Sequence, residues 1–386
     1  MTGYLSSGFL AKVTIMKRRT FSRRTFIKTL GAISLPSFDP KLLNSQWLAG
    51  AGDYLKSLRK RIVLGNEKFG LINKAGDFIL PPVYESWLFF REGLAEVEFQ
   101  GKTGYIDLTG KWVIPPVYNC FGGFKDGLAC LSVDRKIGFI DRSGEIVIPP
   151  QYDIVWNIFE GLCLVGVGEK RGFIDRTGKW VIEPIYDYAK PFSQGLAPVT
   201  IDGVRKDDVR QNGKWGFIDK AGKVVIDPVF SNADWFKDGL APVEKNDQWG
   251  YINMAGETVV PFQYDMAEPF HDGMGKVSLN GLYGYVDATG ILILPPAYFV
   301  AEPFSEGSAY VVRDDGKGIR SGYINKAGEV VIKMKRGHHG RSFHDGLAGV
   351  QKNDKWGFID QTGKWVIKRT YRKIDRFSNG VCTVKV

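Results

Sequence analysis

The chain has 386 residues, 44% of them hydrophobic and 13% aromatic, which is long and apolar enough to bury a large core and excludes wholesale disorder. Its formal charge of +10 hints at nucleic acid until the charge is located. Residues 1–61 hold twelve of the 52 Lys and Arg but only Asp39 and Asp53 of the 42 acidic residues, leaving 40 of each sign in the remainder. A neutral folded part lacks the cationic face that nucleic-acid binding requires, so no nucleic-acid partner is expected.

The first element in chain order is a basic leader over residues 1–60. Lys17-Arg18-Arg19 precedes Ser22-Arg23-Arg24-Thr25-Phe26-Ile27-Lys28, and a short apolar segment from Thr29 to Leu35 follows. No stretch approaches the ~20 apolar residues of a bilayer-crossing helix, so the layout predicts a targeting segment and no transmembrane span. The run resembles the twin-arginine export signal, Ser-Arg-Arg-x-Phe-Leu-Lys. Ser22, Arg23, Arg24, Phe26 and Lys28 stand in its matching places, and Ile27 replaces Leu. The resemblance implies a partner in the twin-arginine translocation machinery, export of an already folded chain, and a periplasmic or extracellular location. Met16 is an alternative start, and Leu48-Ala49-Gly50-Ala51 is the candidate cleavage stretch.

Residues 61–386 form the second region, in which one unit recurs nine times. Its landmark glycine falls at Gly70, Gly104, Gly138, Gly172, Gly216, Gly250, Gly284, Gly322 and Gly357, with spacings of 34, 34, 34, 44, 34, 34, 38 and 35. Such a fixed period signals units that cannot bury their apolar surface alone. Three runs recur: Gly239-Leu240-Ala241-Pro242-Val243, then Trp249-Gly250-Tyr251-Ile252-Asn253, then one such as Gly222-Lys223-Val224-Val225-Ile226. A weaker fourth, Tyr186 to Phe192, links the third run to the next first one. The runs are short, rich in β-branched and aromatic residues, and bounded by Gly, Pro and Asp, so each predicts a strand.

Turn chemistry supports this. Asn246-Asp247, Asn280-Gly281 and Asn353-Asp354 are types that tolerate the positive φ of two-residue hairpin turns. Between the second and third runs lies Asp-x-(Ala/Thr/Ser)-Gly. Asp107, Asp141, Asp175, Asp219, Asp287 and Asp360, with Asn73, Asn253 and Asn325 in the other copies, read as turn-formers, because Asn keeps the acceptor and loses only the charge. The second and third runs are apolar at consecutive positions, which predicts sheets covered on both faces. The expected fold is all-β: a nine-unit array in a propeller-like stack of three- or four-stranded antiparallel sheets, with an open β-superhelix or solenoid as the alternative. Val381 to Val386 is a first-type run without its own hairpin that could close a ring, yet Arg61 to Leu64 already offers that strand to copy one. The Gly after Trp fits close backbone approach under a neighbouring ring.

The array resembles the bacterial WG-repeat family, also called KWG, whose hallmark is Lys-Trp-Gly-(Phe/Tyr)-Ile-Asp, a Gly turn, Pro-Pro-x-Tyr-Asp and Phe-x-(Glu/Asp)-Gly-Leu-Ala. Literal Trp-Gly pairs occur at Trp215-Gly216, Trp249-Gly250 and Trp356-Gly357, and copy eight lacks the Pro-Pro-x-Tyr element. The resemblance spans about residues 62–386 and implies a β-repeat scaffold with no catalytic residues to carry over.

Two insertions at the same point of the unit are expected on one face of the stack. Their ligand-binding candidates are Arg205, Asp207, Asp208 and Arg210 in the first, and Arg313, Asp314 and Asp315 in the second. Trp87, Trp156 and Trp235 are off the repeat pattern, as is Trp47. Exposed, they would be platforms for sugars or peptides, but an irregular Trp is expected more often to fill core. Cys163 and Cys382 stand where most copies have the Ala of Gly-Leu-Ala and Cys130 one place further along, and all three read, with Cys120, as buried hydrophobes. His338-His339 with His344 is the nearest approach to a metal cluster, but His271 matches His344 in the repeat as an ordinary turn residue, so no metal site is expected. No hydrolase, phosphate-loop or zincin motif occurs, and no cofactor is expected. The sequence therefore points to a non-enzymatic binding or scaffolding protein for a protein, peptide or glycan ligand. The alternative is an extracytoplasmic polysaccharide- or cell-wall-acting hydrolase or lyase with acid and base drawn from the insertions.

Overall fold

The computed structural model describes residues 68–99, 101–201, 204–206, 209–211, 213–314, 316, 318–335 and 337–386. Every recurrent run in it is a strand, and no helix occurs among the described residues. The sixth unit, named like the others by its landmark glycine, shows the plan. A short link strand (Asn232–Ala233) is followed by the Gly-Leu-Ala strand (Leu240–Lys245), the Trp-Gly strand (Gln248–Asn253) and the Pro strand (Thr258–Tyr264), paired antiparallel in that order.

The turns carry out the expected chemistry. Asn246 and Asp247 adopt φ of 55° and 62° in the two-residue hairpin turn. In all nine units the turn Asp or Asn accepts backbone amides two and four residues on; Asp219, for example, receives Ala221 N and Lys223 N, each at 2.9 Å. Thr and Ser hydroxyls add a third bond in several copies, such as Thr362 Oγ1 to Asp360 at 2.6 Å. That bond is the main reason the Asp360 carboxyl lies below its usual range, as the Thr177 hydroxyl is for Asp175.

The Trp-Gly glycine is demanded by the strand beside it. The Pro strand has a bulge there, for Trp249 pairs with Tyr264 while Tyr251 pairs with Val260. A Cβ on Gly250 would stand 2.5 Å from the Val260 carbonyl oxygen. The predicted close approach is therefore present, but to backbone first rather than to a ring.

In most units the Pro strand passes almost directly into the next link strand, with a single residue between Thr258–Tyr264 and Met266–Ala267, whereas five residues intervene after the first and the eighth units. Between the second and third units the two are fused as Trp112–Lys125, whose first half pairs with Lys102–Asp107 and second half with Leu128–Val133. Seven four-stranded sheets and one seven-stranded sheet built around this fused strand make nine units, apart from a two-stranded insertion hairpin. The degenerate eighth copy still forms its sheet, with its Pro strand cut to Val330–Lys333.

The array is closed. Val381–Lys385 lies between the link strand Lys373–Ile374 and the Trp-Gly strand Phe69–Asn73, in register from Phe69↔Lys385 to Asn73↔Val381. The C-terminal run thus supplies the first unit's Gly-Leu-Ala strand; Arg61 to Leu64, the other possible donor, lies outside the described residues. Nine units exceed the ~4–8 blades of familiar propellers.

Core lies between neighbouring sheets, as consecutive apolar positions require. One cluster joins Leu196, Phe217 and Ile226 of the fifth unit to Phe236, Ala241 and Ile252 of the sixth. In seven units the aromatic residue after the landmark glycine meets the Phe that closes the next unit's link run at 4.7–5.0 Å between ring centroids, as in Tyr251–Phe270 and Tyr285–Phe304. Cys130, Cys163 and Cys382 are free and buried, and burial pushes the Cys163 and Cys382 thiols up.

Candidate functional site

The link strands carry the side chains that differ most from unit to unit on an otherwise constant frame. Each ends in an acid-Gly or amide-Gly turn whose first residue has positive φ, such as Asp238 (φ 52°) and Asp272 (φ 54°). The side chain of that residue reaches the turn glycine of the next unit. Asp238 accepts Gly273 N at 3.0 Å, Asp272 accepts Gly307 N at 2.6 Å, and Asp345 accepts Gly380 N at 2.7 Å. A basic residue in the following turn often adds an ion pair to the same acid, as Lys326 does to Asp272 at 3.2 Å and Lys220 to Glu160 at 3.2 Å.

Four residues before this turn stand Trp156, Lys190, Asp234, Glu268, Glu302, Arg341 and Asp375. Their backbone is pinned from the preceding unit: Tyr251, Tyr285 and Tyr323 donate their hydroxyls to the carbonyls of Glu268, Glu302 and Arg341 at 2.6, 2.6 and 2.8 Å. Lys190 lies 3.2 Å from Asp234 and 5.6 and 5.8 Å from the ring centroids of Trp215 and Trp235. Lys276, on the adjoining strand, pairs with Glu268 at 2.8 Å, donates to Ala301 O at 3.1 Å and stands 5.0 Å from the Tyr283 ring. Arg341 lies 4.4 Å over the Trp356 ring and donates to Ile374 O at 3.0 Å. The aromatic side chain of the Trp-Gly step is thus a platform for cations of the link region.

An open cavity of about 260 Å³ adjoins this line of side chains where the eighth, ninth and first units meet. It is lined by Glu302, Arg341, Ser342, His344, Leu347, Gly349, Phe358, Asp375 and Arg376. Gly349 occupies the variable place of Gly-Leu-Ala-x-Val, where Pro198, Pro242, Lys276 and Tyr310 stand in units five to eight. Burial, and then the Arg376 charge, holds His344 below the usual imidazole range. None of the four charged lining residues was singled out from the sequence. The signals that could have found them are the degenerate eighth copy and the glycine at that variable place.

The sequence-derived candidates fall elsewhere. Arg205 and Arg210 sit opposite each other in the hairpin Val204–Lys206/Val209–Gln211, while Asp207, Asp208 and Asp315 lie outside the described residues. Arg313 and Asp314 end the strand Ser308–Asp314, and Asp314 Oδ1 accepts Gly316 N at 2.9 Å, which makes it a turn-former. Both insertions join a Gly-Leu-Ala strand to a Trp-Gly strand, as expected, but in the fifth and eighth units, so they are not brought together. The expectation that off-pattern Trp fill core is corrected: Trp156 and Trp235 are 47% and 38% exposed. Trp87 is half-buried, 4.7 Å from the Phe69 ring centroid. These two exposed Trp occupy the bend that follows the link strand's ladder pairs, where the side chain leaves the packed face. Trp47 and the export-signal residues Ser22, Arg23, Arg24, Phe26 and Lys28 lie outside the described residues.

Of the histidines, His271 Nδ1 lies 2.7 Å from Lys237 Nζ, and His338 Nδ1 lies 2.9 Å from Lys335 O. Among the described residues no group of three or more His, Cys, Asp or Glu is disposed to hold a metal ion, and no helix is long and apolar enough to cross a membrane.

Comparison with known proteins gives one family. The WG containing repeat matches residues 69–102, 104–136, 137–170, 172–204, 215–249, 249–283, 283–317, 339–356 and 356–386. No curated protein matches. Among solved structures, the dihydro-heme d1 dehydrogenase NirN in complex with DHE is 13% identical, covers 78% of this chain and 77% of its own, and gives a TM-score of 0.37. Hsv2p of Kluyveromyces lactis is 11% identical over 71% of this chain and 92% of its own, with a TM-score of 0.32. The uncharacterized protein lmo1340 of Listeria monocytogenes EGD-e is 13% identical over 70% and 89%, with a TM-score of 0.34.

Proposed function

This chain belongs to the WG-containing repeat family, and from that premise we propose that it is a non-enzymatic binding or scaffolding protein. It is exported through the twin-arginine machinery and presents its ring to a protein, peptide or glycan ligand outside the cytoplasm. One observation carries the reading: the recurrent carboxylates are engaged in turns and in clasps between units, whereas the link-region side chains change from unit to unit and include the exposed Trp156, Trp235 and Arg341. A constant frame with a variable, partly aromatic surface is the arrangement by which repeat folds bind. Arg23 and Arg24 in the matching leader places support export.

The test has two arms. Fractionation of the tagged protein beside an Arg23→Lys, Arg24→Lys double variant should find only the unaltered leader outside the cytoplasm; both remaining inside would overturn the export claim. Immobilised protein incubated with cell-envelope extract should retain a peptide or glycan, with graded loss for Trp156→Ala and Trp235→Ala. Turnover of a retained polysaccharide that a single carboxylate substitution abolishes would overturn the non-enzymatic reading.

A further inference from the structure

Where the repeat departs from its own pattern, charges of both signs surround one small cavity. The ninth unit's link strand, His339–His344, carries Gly340 and Ser342 where the seventh and eighth units have Ala and Pro, and Gly349, with the Ile374 side chain packed against it, lines the cavity where units five to eight have Pro, Lys or Tyr. The walls differ from the equivalent places in the fifth to seventh units. There Lys190 pairs with Asp234 and Lys276 with Glu268. Here the Glu302 carboxylate and the Arg376 guanidinium have no ion-pair or hydrogen-bond partner among the described residues. Among the described residues Asp375 Oδ1 accepts only Arg376 N, at 2.8 Å. Arg341 is held in place by Trp356 below it and Ile374 O beside it, with further N–H donors left over.

We propose that this cavity binds a small zwitterion, the free ammonium and carboxylate of an amino acid or short peptide. Three features select that class. The volume of about 260 Å³ lies below the ~300–1,000 Å³ of drug-sized pockets, so the ligand is small. A singly charged ligand would answer one sign of the wall and face the other unpaired, whereas a zwitterion answers both. Planar guanidinium groups suit a carboxylate bidentately, and Glu302 with Asp375 suits an ammonium. Leu347 and Phe358 give the apolar floor against which a Cα and its short side chain lie.

The inference rests on reading the chain as a binding scaffold, and its test separates the two. Calorimetric titration of the full chain with triglycine should give saturable binding, at least about ten-fold weaker for N-acetyltriglycine and for triglycine amide. Glu302→Gln should lessen the penalty of acetylation while leaving that of amidation, and Arg376→Gln should do the reverse, with Asp375 and Arg341 keeping the remainder of each. Gly349→Pro, which copies units five and six, should remove binding; should that variant fail to fold, the two charge variants carry the test. Capped and free peptides binding alike would overturn the proposal. So would absence of triglycine binding, and if the immobilised chain still retained an envelope macromolecule, the scaffold reading would stand while the cavity assignment fell.

Discussion

Units five to seven and the junction of units eight, nine and one are built from the same four strands, yet they treat charge in opposite ways. In the first region Lys190 and Lys276 are each neutralised by a link-region acid and laid beside an aromatic ring. At the junction Arg341 keeps the ring contact, with Trp356, but Glu302 and Arg376 are left facing a cavity. The difference teaches that the repeat frame does not need those charges. The frame is held by aromatic pairs between sheets, by Tyr hydroxyls on link carbonyls, and by acid-to-glycine clasps, all of which persist at the junction in Tyr323–Phe343, Tyr323 to Arg341 O and Asp345 to Gly380 N.

The largest effect should come from breaking the junction itself. Deleting residues 381–386 removes the strand that buries Cys382 and Val384 completely and joins Lys373–Ile374 to Phe69–Asn73. At about 1.5–3 kcal/mol per buried apolar side chain, the loss is comparable to a domain's whole stability of about 5–15 kcal/mol. Urea unfolding should lose its single cooperative transition; retention of the full-length midpoint would show that closure is dispensable.

The next contrast sets two glycines against each other. Gly250→Ala in the regular region puts a Cβ 2.5 Å from the Val260 carbonyl oxygen, where backbone must move, at an expected cost of about 2–4 kcal/mol. Gly349→Ala at the junction meets the Ile374 Cδ1 end at 2.3 Å, which a side-chain rotation relieves, so about 1 kcal/mol or less is expected. Thermal melts of the two variants check the order, and equal costs would mean that the junction is as tightly packed as the rest.

Acid offers the smallest and most local contrast. Asp141, Asp175 and Asp360 lie below the ordinary carboxyl range, chiefly through hydroxyl bonds from Ser143, Thr177 and Thr362. A carboxylate whose folded pKa is depressed stabilises the fold above its unfolded value of ~3.9, and that contribution is lost as pH falls through the folded value. The turns at Asn253 and Asn325 make the same amide bonds without a titrating group. Hydrogen exchange below about pH 4 should therefore open the three Asp turns before the two Asn turns. Simultaneous opening would mean global unfolding and would sink this reading of the turns.

Much of the fold was legible because its determinants are local. An Asp two residues before a small residue and three before a Gly needs only its own loop to accept the amides of Ala221 and Lys223, and Asn246-Asp247 needs only its own φ values. The candidate site was less legible. Trp235 was read as core because its residue type favours burial, and the bend that turns it outward is not encoded in hydropathy. Asp238 and Glu306 were visible as a motif, but their clasp to a glycine one unit away depends on how sheets are set against each other.

By itself, then, the sequence determined nine units, their strands, their turns and the need to cover both sheet faces, since each follows from backbone preferences and apolar surface within some 34 residues. Only the tertiary structure decided that the ring closes, that Val381–Lys385 completes the first unit, and that Glu302, Arg341, Asp375 and Arg376 meet at one cavity. Closure is a sum of small rotations over nine interfaces, and a contact between unit nine and unit one has no local pattern to announce it.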